Sequence, residues 1–291
     1  MRSRAHESST LDPACWKDTT GPELPRKLCR SSNGMLSIII VSYNARTDLE
    51  RCLESLHAAS PALAHETIVV DNHSTDGSAD AARRWTGVRV IENATNIGFA
   101  AANNVGIRAS RGELLLLLNS DTAVPAGAID RLTAALDAHA DVAVIGPRLV
   151  DANGRPELSF GKMITPLNEL RQKRLARSDA VQQLTRRRHY PDWVSGACLL
   201  VRREDAEAVG LLDERFFMYT EDVDFCAAIR ARGRRILFEP AIEVVHFRGR
   251  SASSAQAQTD HAYRRSRIAF YEKHHPSWVP LLKLYLRLQR G

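Results

Sequence analysis

Five consecutive leucines, Leu114 to Leu118, constrain this chain more than any other stretch. The run is far short of the ~20 apolar residues needed to span a bilayer. A short apolar run bounded by turn residues predicts a strand covered on both faces. It stops abruptly at Asn119-Ser120-Asp121-Thr122. In open α/β sheets, ligands bind outside the carboxyl ends of the strands, so Asp121 is expected at a ligand-binding edge. The alternative is that Asn-Ser-Asp caps a helix beginning near Pro125.

The flanking sequence repeats the same grammar. Ser37–Val41 is a continuous apolar run that ends in Ser42-Tyr43-Asn44. A helix follows, with Leu49, Cys52, Leu53 and Leu56 on one face. Thr67–Val70 is a second buried strand, ending in Asp71-Asn72-His73-Ser74-Thr75-Asp76-Gly77, before a helix to about Trp85. Val88–Ile91 is a short third strand, followed by the polar segment Asn93–Gly98 and a helix over Phe99–Ala109. After the leucine strand come a helix from Pro125 to about His139 and a strand over Val142–Ile145. Such alternation with short connections predicts an α/β fold with a doubly wound, mostly parallel sheet and helices on both faces. Right-handed crossovers gather the polar clusters at one edge.

Neither GxGxxG nor GxxxxGK[ST] follows any of these strands, which disfavours a dinucleotide dehydrogenase and a P-loop NTPase. Phosphates at this edge would need another partner, and a divalent metal held by Asp121 is the expected substitute. A net charge of +6 over 291 residues favours anionic partners: nucleotide phosphates, an anionic membrane surface or nucleic acid. Nothing resembling a nucleic-acid recognition motif or aromatic platform accompanies that charge, so nucleic acid is not an expected partner. The five cysteines (Cys15, Cys29, Cys52, Cys198, Cys226) are odd in number and form no CxxC pair, as for reduced thiols in a cytosolic protein. Residues 1–34 read as a mobile polar tail without a secretory signal.

The second half is looser. Asp151–Pro191 carries Arg171, Lys173, Arg174, Arg177, Arg186, Arg187 and Arg188. It reads as a solvated helix face, with an active-site flap or membrane-facing patch as the sharper alternative. Trp193–Val201 returns to a strand in which Gly196 would let backbone approach a ligand. Phe216-Phe217-Met218-Tyr219 stops before Thr220-Glu221-Asp222-Val223-Asp224, where a helix begins that ends near Gly233. Two strands, Ile236–Glu239 and Ile242–Val245, lead to His246. Residues 253–291 form a basic, apolar segment that suits a membrane surface or packing across the main domain.

These motifs together resemble the family 2 glycosyltransferases, of GT-A fold, and among them the bacterial rhamnosyltransferases. The carrying stretches are SIIIVSYN (37–44), IVVDNHSTDGS (68–78), NATNIGFAAANNVG (93–106), LLNSDT (117–122), WVSGACL (193–199), FFMYTEDVD (216–224) and VVHFRGRS (244–251). The resemblance implies a domain over residues 35–252. It implies that Asp71 reads the donor's nucleobase, with Ser42, Asn44 and Asp76 around it. Asn96, Gly98, Phe99, Asn103, Ser120 and Gly196 would line nucleotide and sugar. Asp121 stands where the family's DXD metal motif ends, with Asn119 at its first position, so the metal would lean on the diphosphate and on His246. Asp222 matches the catalytic base, with Glu221 orienting it. Relatives often carry Arg where this chain has Ala228.

Sugar transfer demands those residue types. The leaving diphosphate gains charge, which Mg²⁺ or Mn²⁺ on oxygen ligands offsets. The acceptor hydroxyl loses a proton, which needs a carboxylate base within reach. The expected protein is thus an inverting, metal-dependent transferase moving a sugar, L-rhamnose first, to a glycan or lipid-linked acceptor. UDP- and GDP-sugars are alternative donors to dTDP-L-rhamnose. The expected location is the cytoplasm or the inner face of the plasma membrane. The competing reading is a non-catalytic nucleotide-sugar or membrane-binding module.

Overall fold

The computed structural model describes residues 34–176, 180–247 and 256–288. The N-terminal tail proper, Cys15, Cys29, Arg177 and residues 248–251 of the last motif lie outside them.

An eight-stranded sheet organises the chain. Its first half is β1 (Leu36–Ser42), β2 (His65–Asp71), β3 (Val88–Glu92) and β4 (Leu114–Asn119), linked by helices α1 (Arg46–Ala58), α2 (Ser78–Arg83) and α3 (Phe99–Ala109). Two-residue β5 (Thr122–Ala123), α4 (Ala128–Asp137) and β6 (Val142–Val150) follow. Next come β7 (Phe160–Gly161), α5 (Pro166–Leu175), α6 (Ala180–Leu184), β8 (Trp193–Val194), β9 (Cys198–Arg202) and α7 (Arg203–Ala208). Helix α8 (Glu221–Ala231), β10 (Arg235–His246), α9 (Gln256–His274) and α10 (Val279–Leu288) complete the described chain. The strand order is β3-β2-β1-β4-β9-β6-β10-β5, and β7 pairs with β8 in a separate ribbon.

The leucine run is the central strand the sequence predicts. Leu114, Leu116 and Leu118 pack on one face with Leu49, Leu53 and Leu132. Leu115 and Leu117 pack on the other with Ile107, Leu199 and Phe225. This period-two division between two apolar layers is what a strand buried on both faces requires. Each such leucine contributes roughly 1.5–3 kcal/mol of transfer free energy.

Three details differ from the sequence reading. The stretch Trp193–Val201 is not one strand: Trp193–Val194 joins the β7 ribbon, and only Cys198 onward enters the main sheet. Strand β9 itself runs antiparallel to both β4 and β6, within a sheet that is mostly parallel, as expected. The two strands expected around Pro240 are one, β10, whose register against β6 shifts between Glu239 and Glu243. Pro240 has no N–H to give the ladder, and a bulge is where a sheet tolerates it. The helix expected from Pro125 begins three residues later, at Ala128, after Gly127 with φ +70°.

Candidate active site

Strands β1, β2 and β4 end side by side, in register Ser42 to Asp71 and Val41 to Asn119. Three polar atoms at these ends are buried without a hydrogen-bond partner among the described residues: Ser42 Oγ, Asp71 Oδ1 and Asn119 Oδ1. Buried polar atoms are normally paired, because leaving one unsatisfied costs about 1–3 kcal/mol. Their clustering at the sheet's carboxyl edge marks a place built for a polar ligand. Asp71 is held ready: its other oxygen accepts the Ser74 N–H at 2.9 Å. Asn44, at φ +47°, accepts the Thr75 N–H at 2.8 Å and so staples the two loops together. Asp76 also belongs to this scaffold. One oxygen accepts the Arg46 N–H (2.8 Å), the other the Ser78 N–H (3.0 Å), tying the starts of α1 and α2 together. Burial pushes its pKa up, but these bonds and the Ser78 hydroxyl outweigh that and hold it low.

A residue the sequence reading passed over organises the next loop. Asn72 is 2% exposed and uses its whole amide. It donates to Asn96 Oδ1 (2.8 Å) and the Gly98 carbonyl (3.2 Å), and accepts from Asn93 Nδ2 and the Ile97 N–H (both 3.1 Å). Asn96 accepts in addition from the Gly98 N–H at 3.0 Å. The Asn103 amide, also buried, donates to the Phe99 carbonyl at 2.9 Å. Gly98, with φ +89° and ψ 169°, opens α3 and lies against the loop before α8. The Phe99 N–H donates to the Phe217 carbonyl at 2.6 Å, which joins the start of α3 to the loop before the acidic helix.

That helix starts from a strained turn. Tyr219 and Thr220 both have positive φ, +70° and +65°. For residues with a Cβ this costs of the order of 1 kcal/mol or more each, and it persists only where neighbours over-determine it. Next in line are Glu221 and Asp222. Asp222 Oδ2 accepts the Gly196 N–H at 2.9 Å, and Oδ1 accepts the Val223 N–H at 2.8 Å. Gly196, expected to let backbone approach a ligand, binds the Asp222 carboxylate. A Cβ built there would sit 3.4 Å from that of Asp222 and 3.8 Å from the Phe99 ring. The next residue, Ala197, accepts the Asn119 N–H at 3.0 Å, so the carboxylate stands one residue from the end of the leucine strand. Burial raises the Asp222 pKa against the pull of its two backbone N–H donors. Burial and the neighbouring Asp222 charge raise that of Glu221 well above the usual range, and its Oε2 is buried without a partner.

Asp121 lies beyond the turn at Ser120, which is buried, and the Phe247 N–H donates to its carbonyl at 2.8 Å. His246 comes from the end of β10. Its Nε2 is 3.2 Å from Asp121 Oδ1, and its Nδ1 is 3.1 Å from Glu157 Oε2. Burial lowers the imidazole's pKa, but the bonds to Asp121 and Glu157 more than offset this and push it up to about 9. Glu157, 89 residues from His246 in sequence, carried no local signal. Metal-ligating histidines commonly give their second ring nitrogen to a carboxylate; the Nδ1 contact with Glu157 has that form, and Nε2, here against Asp121, is the nitrogen that would shed its proton to reach an ion. Hard oxygen donors (Asp121, the unpartnered Asn119 Oδ1) with one imidazole suit Mg²⁺ or Mn²⁺. Among the described residues, three His, Cys, Asp or Glu side chains nowhere close around one point. An ion would thus take its remaining oxygens from ligand and water.

The cysteines of the described residues, Cys52, Cys198 and Cys226, are free and buried; burial lifts each thiol to about 12, leaving them unreactive packing groups. Among the described residues no helix is long and apolar enough to cross a membrane.

Comparison with known proteins bears on this arrangement. Residues 37–209 match the family described as Glycosyl transferase family 2. An N-acetylglucosaminyl-diphospho-decaprenol L-rhamnosyltransferase of Mycobacterium tuberculosis is 30% identical over 84% of this chain and 86% of its own. A low-salt glycan biosynthesis hexosyltransferase of Haloferax volcanii is 27% identical over 80% of this chain and 72% of its own. In fold, the chain superimposes on a Pyrobaculum calidifontis mannosyltransferase solved with GDP-Man and Mn²⁺. The TM-score is 0.60 and the identity 19%, over 87% of this chain and 69% of that one. Catalytic relatives matched along most of the chain set aside the non-catalytic binding module. With its doubly wound sheet, its polar strand ends and its acidic helix start, the chain belongs to glycosyl transferase family 2 and is a glycosyltransferase of GT-A fold.

Proposed function

We propose that this enzyme transfers a sugar, L-rhamnose in the first place, from a nucleotide diphosphate donor to a lipid-linked glycan acceptor, inverting the anomeric centre. The observation that carries the reading is Asp222, a half-buried carboxylate of raised pKa fixed by the Gly196 N–H beside the polar strand ends. Support for the sugar and acceptor comes from the mycobacterial relative, a rhamnosyltransferase acting on a polyprenyl diphosphate sugar. The route fits cell-surface polysaccharide synthesis.

Asp71 Oδ1 suits an N–H of the nucleobase, and Ser42 Oγ and Asn119 Oδ1 suit ribose hydroxyls or phosphate-bound water. Asp121 and His246 would hold Mg²⁺ or Mn²⁺, which when bound offsets charge on the leaving diphosphate. Asp222 takes the acceptor hydroxyl's proton as that oxygen bonds to C1. The bond from C1 to the diphosphate breaks on the opposite face, and the electron pair leaves with the phosphate. One displacement of this kind needs no covalent nucleophile. A pKa raised by burial makes Asp222 a better proton acceptor than a solvated aspartate.

A membrane-bound acceptor requires a surface that meets lipid. Leu282 and Leu286 of α10 are buried, but Leu281, Leu284, Tyr285 and Leu288 line its opposite face and are exposed, Leu288 by 74%. Helix α5 buries no residue and exposes Leu167 and Leu170 beside Arg171, Lys173 and Arg174. Arg267 joins the two helices: it binds Glu169 of α5 and lies 5.6 Å from the Tyr285 ring of α10. An apolar stripe flanked by Lys and Arg suits an anionic bilayer.

The test is transfer by purified enzyme from dTDP-L-rhamnose to a short-chain polyprenyl diphosphate sugar, with and without chelator, and the anomer of the product. Metal-dependent formation of the inverted glycoside is expected. Transfer that is indifferent to chelation, or retention at C1, would overturn the corresponding half of the reading.

A further inference from the structure

The turn that presents Glu221 and Asp222 is backed along its length by α9, which lies beyond the stretch matching the family. Phe270 and Tyr271 of α9 are buried together with Phe216 and Val223, on either side of the turn. The Ser266 hydroxyl donates to the Met218 carbonyl at 2.7 Å, and the Tyr263 ring stands edge-on to that of Tyr219, centroids 5.7 Å apart. The polar contact is closer still. Asp224, 2% exposed and one turn into α8, accepts Lys273 Nζ at 2.8 Å and meets His274 Nε2 at 2.6 Å. Lys273 also donates to Asp213 at 2.8 Å, at the opposite end of the same loop. One lysine therefore spans the loop's two ends, and α9 covers what lies between.

This arrangement explains how two consecutive non-glycine residues keep positive φ ahead of the proposed base. A left-handed pair relaxes unless its surroundings fix it. Of the points held from outside the loop, the Met218 carbonyl and the carboxylates of Asp213 and Asp224 are held by α9. We infer that Lys273 and His274 are positioning residues for the transfer step: through Asp224 they lock the start of α8, and with it the direction of the Asp222 carboxylate. The inference rests on the reading of Asp222 as base and adds the device that aims it. It also gives the C-terminal segment a role apart from any contact with lipid.

The test compares Lys273→Met and His274→Gln with Lys273→Arg and with Lys283→Ala. Lys283 is exposed and, among the described residues, pairs only with Glu272 in the same C-terminal segment. Misaiming a base by about 1 Å costs up to about a hundredfold in rate. The expected result is that Lys273→Met lowers kcat tenfold or more while the donor KM and donor Kd stay within about twofold. Lys273→Arg should recover much of the loss, His274→Gln should fall in between, and Lys283→Ala should match wild type. A merely structural role would lower the donor-binding fraction and the rate together, with no kcat–KM split, and would overturn the inference. So would wild-type kcat in Lys273→Met. If Lys273→Met does not fold, Ser266→Ala carries the same readouts, because it removes one hydrogen bond to the turn. Asp222→Asn run in parallel separates the two claims. If it transfers sugar normally, the reading of Asp222 fails; if it is inactive while Lys273→Met is not, only the clasp fails.

Discussion

Gly98→Ala probes the joint between the start of α3 and the loop that leads to Asp222. Gly98 sits at φ +89° and ψ 169°, a region essentially confined to glycine, so any side chain there costs about 1–3 kcal/mol. A Cβ would also lie 2.5 Å from the Phe217 carbonyl oxygen and 2.9 Å from the Phe217 Cα. Both atoms are backbone, so no rotamer relieves the overlap. The loop must withdraw, which stretches the 2.6 Å bond from the Phe99 N–H and forfeits roughly 1 kcal/mol more. The sum is about 2–4 kcal/mol, or a fall of roughly 5–15 °C in Tm for a domain of this size. Withdrawal of Phe217 displaces the turn leading to Asp222, so kcat should drop by more than stability alone explains. Gly87→Ala is the control. Its φ is +81°, but a Cβ there meets nothing within 4 Å, so it carries the backbone cost of about 1 kcal/mol and no steric one. Thermal and urea unfolding with steady-state transfer kinetics read both effects. Equal Tm losses in the two variants, with Gly98→Ala fully active, would refute the contact between residue 98 and the loop.

Other expectations follow from the site's electrostatics. Asp121→Asn should weaken Mn²⁺ binding, read by titration in the presence of nucleotide diphosphate, by tenfold or more. Glu157→Gln, which leaves both expected ligands in place and disturbs the imidazole's orientation, should weaken it less. Because Asp222 is deprotonated only above a raised pKa, the rate should fall as pH drops through that value. The acid limb of kcat/KM should thus lie above about 4, the ordinary aspartate value; a limb at or below 4 would contradict the buried-base assignment. Replacing Leu284 and Leu288 by Ser should reduce co-sedimentation with anionic vesicles and leave transfer to a short-chain acceptor unchanged. Equal partitioning would remove α10 from the membrane contact.

The layout of the site was legible wherever local chemistry and fold coincide. Each central strand announced itself as an apolar run, and each ended in a polar cluster because chain leaving a sheet edge must cap the next helix or bind a ligand. Asp71 and Asp121 therefore stood out, whereas Asp222 follows no strand and was singled out by the resemblance of its motif. Strand direction was not legible for β9, since a strand covered on both faces shows the same apolar run either way. The merger across Pro240 was hidden because proline reads as a strand stop unless a bulge accepts it. Glu157 and Lys273 belong to the site only through tertiary contact, at separations of 89 residues from His246 and 49 from Asp224. The C-terminal segment shows a different ambiguity. Apolar periodicity says that a helix face is covered, not by what. The structure assigns Phe270 and Tyr271 to the protein interior and leaves Leu281, Leu284 and Leu288 outward. Removing the whole segment would for that reason strip the support from the turn before Glu221 as well as any membrane contact.

The central claim is that Asp222 takes the acceptor's proton, and Asp222→Asn tests it most directly when donor binding and transfer are measured on the same preparation. The amide keeps an oxygen for the Gly196 N–H, so the local fold should survive. The expected result is donor affinity within a few-fold of wild type, with transfer lost by at least a thousandfold. Turnover near the wild-type rate would show that another group removes the proton and would contradict the mechanism.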